Sequence, residues 1–391
     1  MESIKRLLFD RLSKTLNREK SILLLGPRQT GKTTLVHELK PDLYLSFMDF
    51  RVQQRYEQDP GVLISEIRAL AGQFKRPPKV ALDEIQKVPA IMDAVQILID
   101  EKTAIFILTG SSARRLRNLL PGRVIKYHLD PLTLTELAST SWNLEDMLSY
   151  GSLPGIVSLD DRNAREEELG SYVSIYLEEE IRKEALVRNV AAFSRFLQLA
   201  CIESGNIVSF RNLSQEIGIS HTSISEYYRI LEDCMIAQRI DPITKSLTRK
   251  RLSKSSKYLI FDLGVRRFGA MEGLSPPREK LGQLFEQWVG LELKRQFQFH
   301  TVPLQLHFWH DHAGPEVDWV INQSNRYIPI EVKWTKTPAL TDARHLLKFL
   351  SEYPDTKKGY IICNTPRPMQ LSDTILALPW EQLGTVFNDI D

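Results

Sequence analysis

The sequence predicts an α/β fold spread over more than one domain, and three observations carry that prediction. Near the front, an apolar strand runs into a glycine-rich loop and then a helix. Further short apolar strands follow, ending in polar residues and separated by helical stretches. Near the back, PEVDWVINQSNRYIPIEVKW (residues 315–334) has two β-prone runs flanking a Ser-Asn reversal, as a hairpin does.

A length of 391 residues fits two or three domains, divided here at 1–133, 134–260 and 261–391. With 42% hydrophobic and 26% charged residues the composition is that of an ordinary globular protein. The net charge of +2 means that any affinity for nucleic acid must come from local patches. Cys201, Cys234 and Cys363 lie far apart, without metal or redox spacing, which suits a reducing compartment. No apolar run reaches bilayer length, and MESIKRLLFDRLSKTLNREK lacks a signal-peptide core. A cytoplasmic protein with no membrane partner is expected.

The first element is SILLLGPRQTGKTTL, residues 21–35. Its core, Gly26-Pro27-Arg28-Gln29-Thr30-Gly31-Lys32-Thr33-Thr34, follows the strand Ile22–Leu25 and opens a helix, Thr33–Leu39. That order is the context of a phosphate-binding P-loop. Backbone N–H groups of the loop and helix N-terminus wrap phosphates. Lys32 would neutralise the β/γ-phosphates of ATP, and the Thr33 hydroxyl would hold Mg²⁺.

A strand over Leu43–Met48 comes next, then KVALDEIQ (residues 79–86), an apolar strand ending in Asp83-Glu84. Asp83 would hold Mg²⁺ through water, and Glu84 would orient or deprotonate the attacking water. AIFILTGSS (residues 104–112) would set Thr109 or Ser111 between the loop and Asp83, with Thr109 preferred as the sensor of the γ-phosphate. The fifth strand is Val124–Leu129. The site is expected at the carboxyl ends of these strands. Arg114, Arg115, Arg117 and Arg123 are candidates for an arginine acting across subunits, and Arg123 is favoured.

From Thr135 to Cys201 the pattern is helical, with a break at Leu153-Pro154-Gly155 and an exposed acidic run over Glu166–Glu168. IVSFRNLSQEIGISHTSISEYYRILED (residues 207–233) reads as two helices about a turn at Gly218, with Ser209 and Ser220 as N-caps. The second helix would present His221, Thr222, Ser225 and Arg229 to DNA. Residues 241–257 then carry Lys245, Arg249, Lys250, Arg251, Lys254 and Lys257 against Asp241 alone, a basic wing suited to a nucleic-acid backbone. Protein contact is the competing use of such a module.

GQLFEQWVGLELKRQF (residues 282–297) is an amphipathic helix carrying Glu286, and LQLHFWHD (residues 304–311) is a strand. In the hairpin, a reversal at Ser324-Asn325 pairs residues whose numbers sum to 649, so Asp318 faces Glu331 and Glu316 faces Lys333. Val317, Trp319 and Ile321 with Ile328, Ile330 and Val332 would form the apolar face, and the four charged groups the other. Opposed carboxylates repel unless protonated, solvated or bridged by a cation. Two outcomes stay open: a solvated face with Lys333 pairing to the acids, or a divalent metal between Asp318 and Glu331.

The whole chain resembles a widespread bacterial and archaeal family of AAA-type ATPases with a C-terminal domain of unknown function. GPRQTGKTTL, LDEIQ, ILTGSSARRL and GRVIKYHLDPLTLTEL look like its ATPase motifs, and LSQEIGISHTSISEYYRILED like its winged helix. The resemblance implies a P-loop NTPase (AAA-like) sheet, a helical winged-helix middle and a C-terminal restriction-endonuclease-like α/β domain. GQLFEQWVGLEL, EVDWVI and IPIEVKW look like the PD-(D/E)XK nuclease superfamily, which implies roles for Glu286, Asp318, Glu331 and Lys333. TDARHLLKFLSEYP and the strand at 359–363 fit the rest of that fold; Pro315 stands two residues away from where the superfamily's proline precedes Asp318. By the same resemblance a homo-oligomer is expected. The resulting expectation is an ATPase that binds DNA and cleaves it under nucleotide control. Two alternatives stay beside it: a switch binding protein partners with a silent nuclease domain, and a DNA-binding regulator.

Overall fold

The computed structural model describes residues 4–112, 122–180, 189–243, 255–273, 278–311 and 316–390. The chain forms two compact units. The first comprises Met1–Leu132 with Leu153–Ser158 and Asp233–Ile236, and the second comprises the remainder.

The front unit is built on β1 (Ser21–Leu25), β2 (Leu43–Ser46), β3 (Lys79–Asp83), β4 (Ile105–Gly110) and β5 (Val124–His128). All are parallel, in the order β2-β3-β4-β1-β5. The five expected strands are present, each within a few residues of its expected ends. The helices α1 (Leu8–Asn17), α2 (Lys32–Glu38), α3 (Phe50–Gln58), α4 (Val62–Ala71) and α5 (Ile91–Asp100) accompany them. Leu23, Val80, Leu82, Phe106 and Leu108 of the sheet pack with Ile91, Val95 and Leu98 of α5 into one buried cluster. Strands covered in this way read as continuous apolar runs, which is why sequence alone found them. The order sets β4 between β1 and β3, so residues leaving β4 stand between the glycine-rich loop and Asp83.

In the rear unit, the helices Val190–Ile202, Phe210–Ile217 and His221–Asp233 precede an antiparallel ribbon of β6 (Ala237–Ile240) and β7 (Lys257–Ile260). Ser209 caps the second helix by accepting from Asn212 N, and the Ser220 hydroxyl accepts from Ser223 N at 3.1 Å. Gly218 turns between them at φ +80°, a left-handed value that glycine adopts without strain. The break expected at Leu153-Pro154-Gly155, a segment of the front unit, is a one-turn helix, Pro154–Val157, with proline in its first turn where no N–H is needed. Glu166–Glu168 lie on the helix Arg162–Ser171; Glu167 and Glu168 are exposed, whereas Glu166 is half-buried and pairs with Arg162.

A six-stranded sheet follows, ordered β12-β13-β11-β10-β9-β8. Its strands are β8 (Gln305–His310), β9 (Glu316–Gln323), β10 (Arg326–Lys333), β11 (Gly359–Cys363), β12 (Met369–Ser372) and β13 (Ile375–Pro379). The helix Leu281–Phe297 places Gly290 against the Trp319 indole of β9. The helix Arg344–Glu352 buries Leu346 and Phe349 against Val320, Ile361 and Cys363.

The hairpin turns at Ser324 (φ 50°) and Asn325 (φ 74°), two left-handed residues that match the twist of paired strands. Its pairs run from Gln323–Arg326 to Trp319–Ile330 and keep the expected sum of 649. One expectation fails at the far end. His307 pairs with Val320 and Trp309 with Val317, so Phe308 alone opposes both Asp318 and Trp319. That is a β-bulge, and it breaks strict alternation. Val317 therefore joins Val320 in the core beside the helix Arg344–Glu352, while Trp319 faces the helix Leu281–Phe297.

Candidate functional site

The phosphate loop leaves β1 and is tied to β4 by Gly26 N donating to Gly110 O. Gln29 (φ 61°) and Gly31 (φ 90°) take left-handed conformations, curling the loop toward the N-terminus of α2. Thr30 is fully buried, and its hydroxyl donates to Pro27 O at 2.9 Å. The Lys32 ammonium lies inside the curl, donating to Gly26 O (2.9 Å) and Pro27 O (2.8 Å). Burial pulls its pKa below the ordinary lysine value, against the raising effect of Glu84 and Asp83. Arg28 is half-buried, while Gln29, Thr33 and Thr34 are exposed.

Asp83 ends β3 and collects three hydroxyls. Thr33 donates to it across 3.2 Å, Tyr44 donates at 2.8 Å, and Thr109 donates to its other oxygen. Burial and the bond to Asp83 push the Tyr44 phenol up to about 12. Glu84 follows in a left-handed conformation (φ 57°, ψ 48°), which costs a non-glycine residue about 1–3 kcal/mol. Its backbone N–H donates to Thr109 Oγ1 at 3.0 Å, while its carboxylate accepts from Ser111 (2.7 Å) and from Gln86. Burial works against ionisation of Glu84, yet Lys32 and these bonds hold its pKa below the ordinary value. The arrangement can neutralise a phosphate chain, offer hard oxygens to a small cation and present a carboxylate base.

Lys32, Thr33, Asp83, Glu84 and Thr109 thus meet at the carboxyl end of the sheet, as expected. Thr109 is committed to Asp83 and the Glu84 backbone. Arg123 makes a two-bond pair with Asp100 (2.7 and 2.9 Å) on the surface. Arg114, Arg115 and Arg117 lie outside the described residues. Sequence reasoning missed Tyr44 and Gln86. Tyr44 was signalled by a lone tyrosine in a strand parallel to the one ending in Asp83; Gln86 had no signal beyond its closeness to Glu84.

In the rear unit, His221, Thr222, Ser225 and Arg229 are exposed on one helix. Lys245, Arg249, Lys250, Arg251 and Lys254 lie outside the described residues. Lys257, counted with them as a wing residue, is instead buried at 3% side-chain exposure. Its ammonium pairs with Glu316 (2.6 Å) and Glu286 (3.1 Å). This corrects the expected Glu316–Lys333 partnership: Lys333 pairs with Glu331 at 2.7 Å. Beyond the last ladder pair, the Asp318 carboxylate accepts from Val332 N at 2.7 Å. Burial and the neighbouring Glu286 and Glu331 raise Asp318 well above the ordinary carboxylate range. Burial likewise raises Glu331 to about 6, although Lys333 pulls it down. Among the described residues, no group of three or more His, Cys, Asp and Glu side chains is arranged to hold a metal ion. No helix among them is long and apolar enough to cross a membrane.

Residues 18–138 match the family model described as an AAA domain. Residues 141–278 and 281–383 match two further models, each a domain of unknown function. The uncharacterized protein Rv2008c of Mycobacterium tuberculosis is 26% identical over 387 residues, which is 96% of this chain and 83% of that one. The uncharacterized protein MJ1544 of Methanocaldococcus jannaschii is 25% identical over 80% of this chain and 76% of its own. Among solved structures, PCH-2 of C. elegans is similar with a TM-score of 0.25 and 16% identity, covering 58% of this chain and 66% of that one; no shared fold follows from such a score. The AAA domain match spans the phosphate loop, Asp83 and Glu84, and it supports an AAA-type ATPase at the front of the chain.

Proposed function

We propose that the front unit binds ATP with Mg²⁺ and hydrolyses it, with Glu84 as the base for the attacking water. The observation that carries this reading is the convergence of Lys32, Thr33 and Asp83 with a carboxylate, Glu84, kept ionised. The donor set suits Mg²⁺, which takes one or two protein oxygens and completes its shell with water and phosphate. Bound there, Mg²⁺ would offset the charge on the β/γ-phosphates. Lys32 exchanges its two loop carbonyls for phosphate oxygens. Thr109 fixes the Asp83 carboxylate and the turn that aims Glu84. Ser111 and Gln86 hold Glu84 until water is in place to give up its proton. In a steady-state ATPase assay, Glu84→Gln should lower kcat at least ~100-fold while nucleotide binding persists. Lys32→Ala should abolish binding. An unchanged rate in Glu84→Gln would overturn the assignment.

A second reading concerns the rear unit: DNA bound by His221, Thr222, Ser225, Arg229 and the basic residues 245–254, and cut with a divalent metal at Asp318 and Glu331. The carboxylates of Glu286, Asp318 and Glu331 close to Lys333 favour it. The lysine pairing with Glu286 and Glu316 favours the silent-domain alternative, a switch that binds protein partners. Assembly as a homo-oligomer belongs to both readings. Wild type and the double variant Asp318→Ala, Glu331→Ala are compared on linear, circular and branched DNA with Mg²⁺ or Mn²⁺, with and without ATP. Cleavage lost in the double variant supports the second reading. Intact DNA beside continuing ATP hydrolysis removes it. Salt-sensitive DNA binding lost on neutralising Arg249, Lys250 and Arg251 separates a DNA protein from a protein-binding switch.

A further inference from the structure

The carboxylates at the bulged end of the hairpin already have a cation, and it comes from another element. Lys257 opens β7, the second strand of the small ribbon, and pairs with Ile240 of β6. Its Nζ lies 2.6 Å from Glu316 Oε1 and 3.1 Å from Glu286 Oε1, and Asp318 adds to the negative field. The rings of Phe308 and Trp319 flank it with centroids at 5.1 and 5.2 Å, which adds cation–π attraction in a place shut off from water. His310 stands 3.7 Å from the other oxygen of Glu316. On the far side, Glu331 gives one oxygen to Lys333 and lies 4.0 Å from His345. Its second oxygen, Oε2, is buried and has no hydrogen-bond partner among the described residues.

The buried member of this group is the ammonium, at 3% side-chain exposure, and a buried charge needs an opposite charge in contact, which the half-buried Glu286 and Glu316 supply. The ammonium on Glu316 and Glu286 already offsets the negative field at Asp318, the field that a divalent ion between Asp318 and Glu331 would otherwise draw on. We propose that Lys257 is the resident cation of this pocket, and that an oxygen-seeking divalent metal enters only where the lysine has withdrawn. The metal half of this statement rests on the cleavage reading above; the lysine half rests on the ion pairs alone. Glu316 is the positioning residue that holds Lys257 in place.

The test uses the full chain without nucleotide and Mn²⁺ as the probe, read by calorimetry, by the manganese resonance spectrum and by melting temperature. Lys257→Met keeps an unbranched stem against Phe308 and Trp319 while removing the charge. It should bind one more Mn²⁺ than wild type, or bind it at least tenfold tighter. Mn²⁺ should raise its melting temperature by several degrees and leave wild type unmoved. Adding Asp318→Ala and Glu331→Ala should erase the gain. Glu316→Gln, which loosens the lysine without removing it, should give a smaller gain in the same direction and serves where Lys257→Met does not fold. If wild type binds Mn²⁺ in this pocket as tightly as the variants, the lysine does not hold the metal's place and the proposal fails, with the cleavage reading intact. If neither wild type nor any folded variant binds Mn²⁺ in this pocket, the lysine is a structural tie, and the proposal and the cleavage reading fail together.

Discussion

Tyr44 is the residue that most changes the picture of the nucleotide site. Its hydroxyl bonds to the carboxylate expected to face Mg²⁺, and a hydrogen bond to a charged group contributes about 1.5–3 kcal/mol. Tyr44→Phe should therefore lower kcat roughly tenfold or more, with ATP affinity little changed and the Mg²⁺ concentration for half-maximal rate increased. A Mg²⁺ titration of the ATPase rate checks this. Lys32, Thr33, Asp83 and Glu84 were legible because loop, helix and strand end each mark them locally. Tyr44 and Gln86 were not, since the first contact depends on β2 lying beside β3 and the second on the side-chain route around Glu84. Lys257 was misread for a related reason: a run of basic residues suggested solvent, and only the tertiary neighbours of β7 make its last member a buried counter-ion.

Among the elements, two close approaches and one ion pair give measurable consequences. A Cβ on Gly26 would meet Leu129 O at 2.3 Å, so Gly26→Ala must push the loop away from the end of β5. A loss of about 1–3 kcal/mol and much weakened nucleotide binding should follow, read by denaturant unfolding and a binding titration. A Cβ on Gly290 would meet the Trp319 ring at 2.6 Å. Gly290→Ala should cost a similar amount and disturb the bond from Trp319 Nε1 to Glu286 O (2.9 Å), seen as a changed tryptophan fluorescence. Asp42, just ahead of β2, accepts from Arg76 at 2.8 and 2.9 Å and from Lys79 N at 2.7 Å. The Arg76 bond holds its pKa below 3.8, with burial opposing. A carboxylate depressed by folding contributes stability above its unfolded value and loses it as pH falls through the folded one. Wild type should therefore lose more stability than Asp42→Asn as pH drops below about 3.8, in parallel acid unfolding curves. The hairpin turn and its register as far as Trp319–Ile330 followed from turn chemistry and alternation. The bulge at Asp318-Trp319 did not, because an extra residue is defined by the neighbouring strand β8.

For the whole chain, the two compact units predict separable responses to nucleotide. Ligand that binds only the folded state at a hundred times its Kd adds about 2.7 kcal/mol to stability. Saturating ATP with Mg²⁺ should therefore raise the melting of the unit carrying Lys32 and leave a second transition in place, and Lys32→Ala should remove the shift. Calorimetric scans of both proteins check this. The front unit was readable almost strand by strand, since a parallel sheet under helices leaves long apolar runs. The rear unit was readable as pieces, and its electrostatics were not, because they depend on which pieces touch.

That touching has a consequence for dissection of the chain. A cut after Ile260 separates β7 from the sheet and removes the ammonium from Glu286, Glu316 and Asp318. The released piece would carry like charges facing an empty socket, and it must take up protons, admit metal or open to solvent to relieve them. Residues 261–391 made alone should thus become more stable as the medium turns mildly acidic, and more steeply so than the intact chain, in which Lys257 already offsets part of the negative charge. The apparent module boundary separates a buried lysine from the carboxylates that hold it.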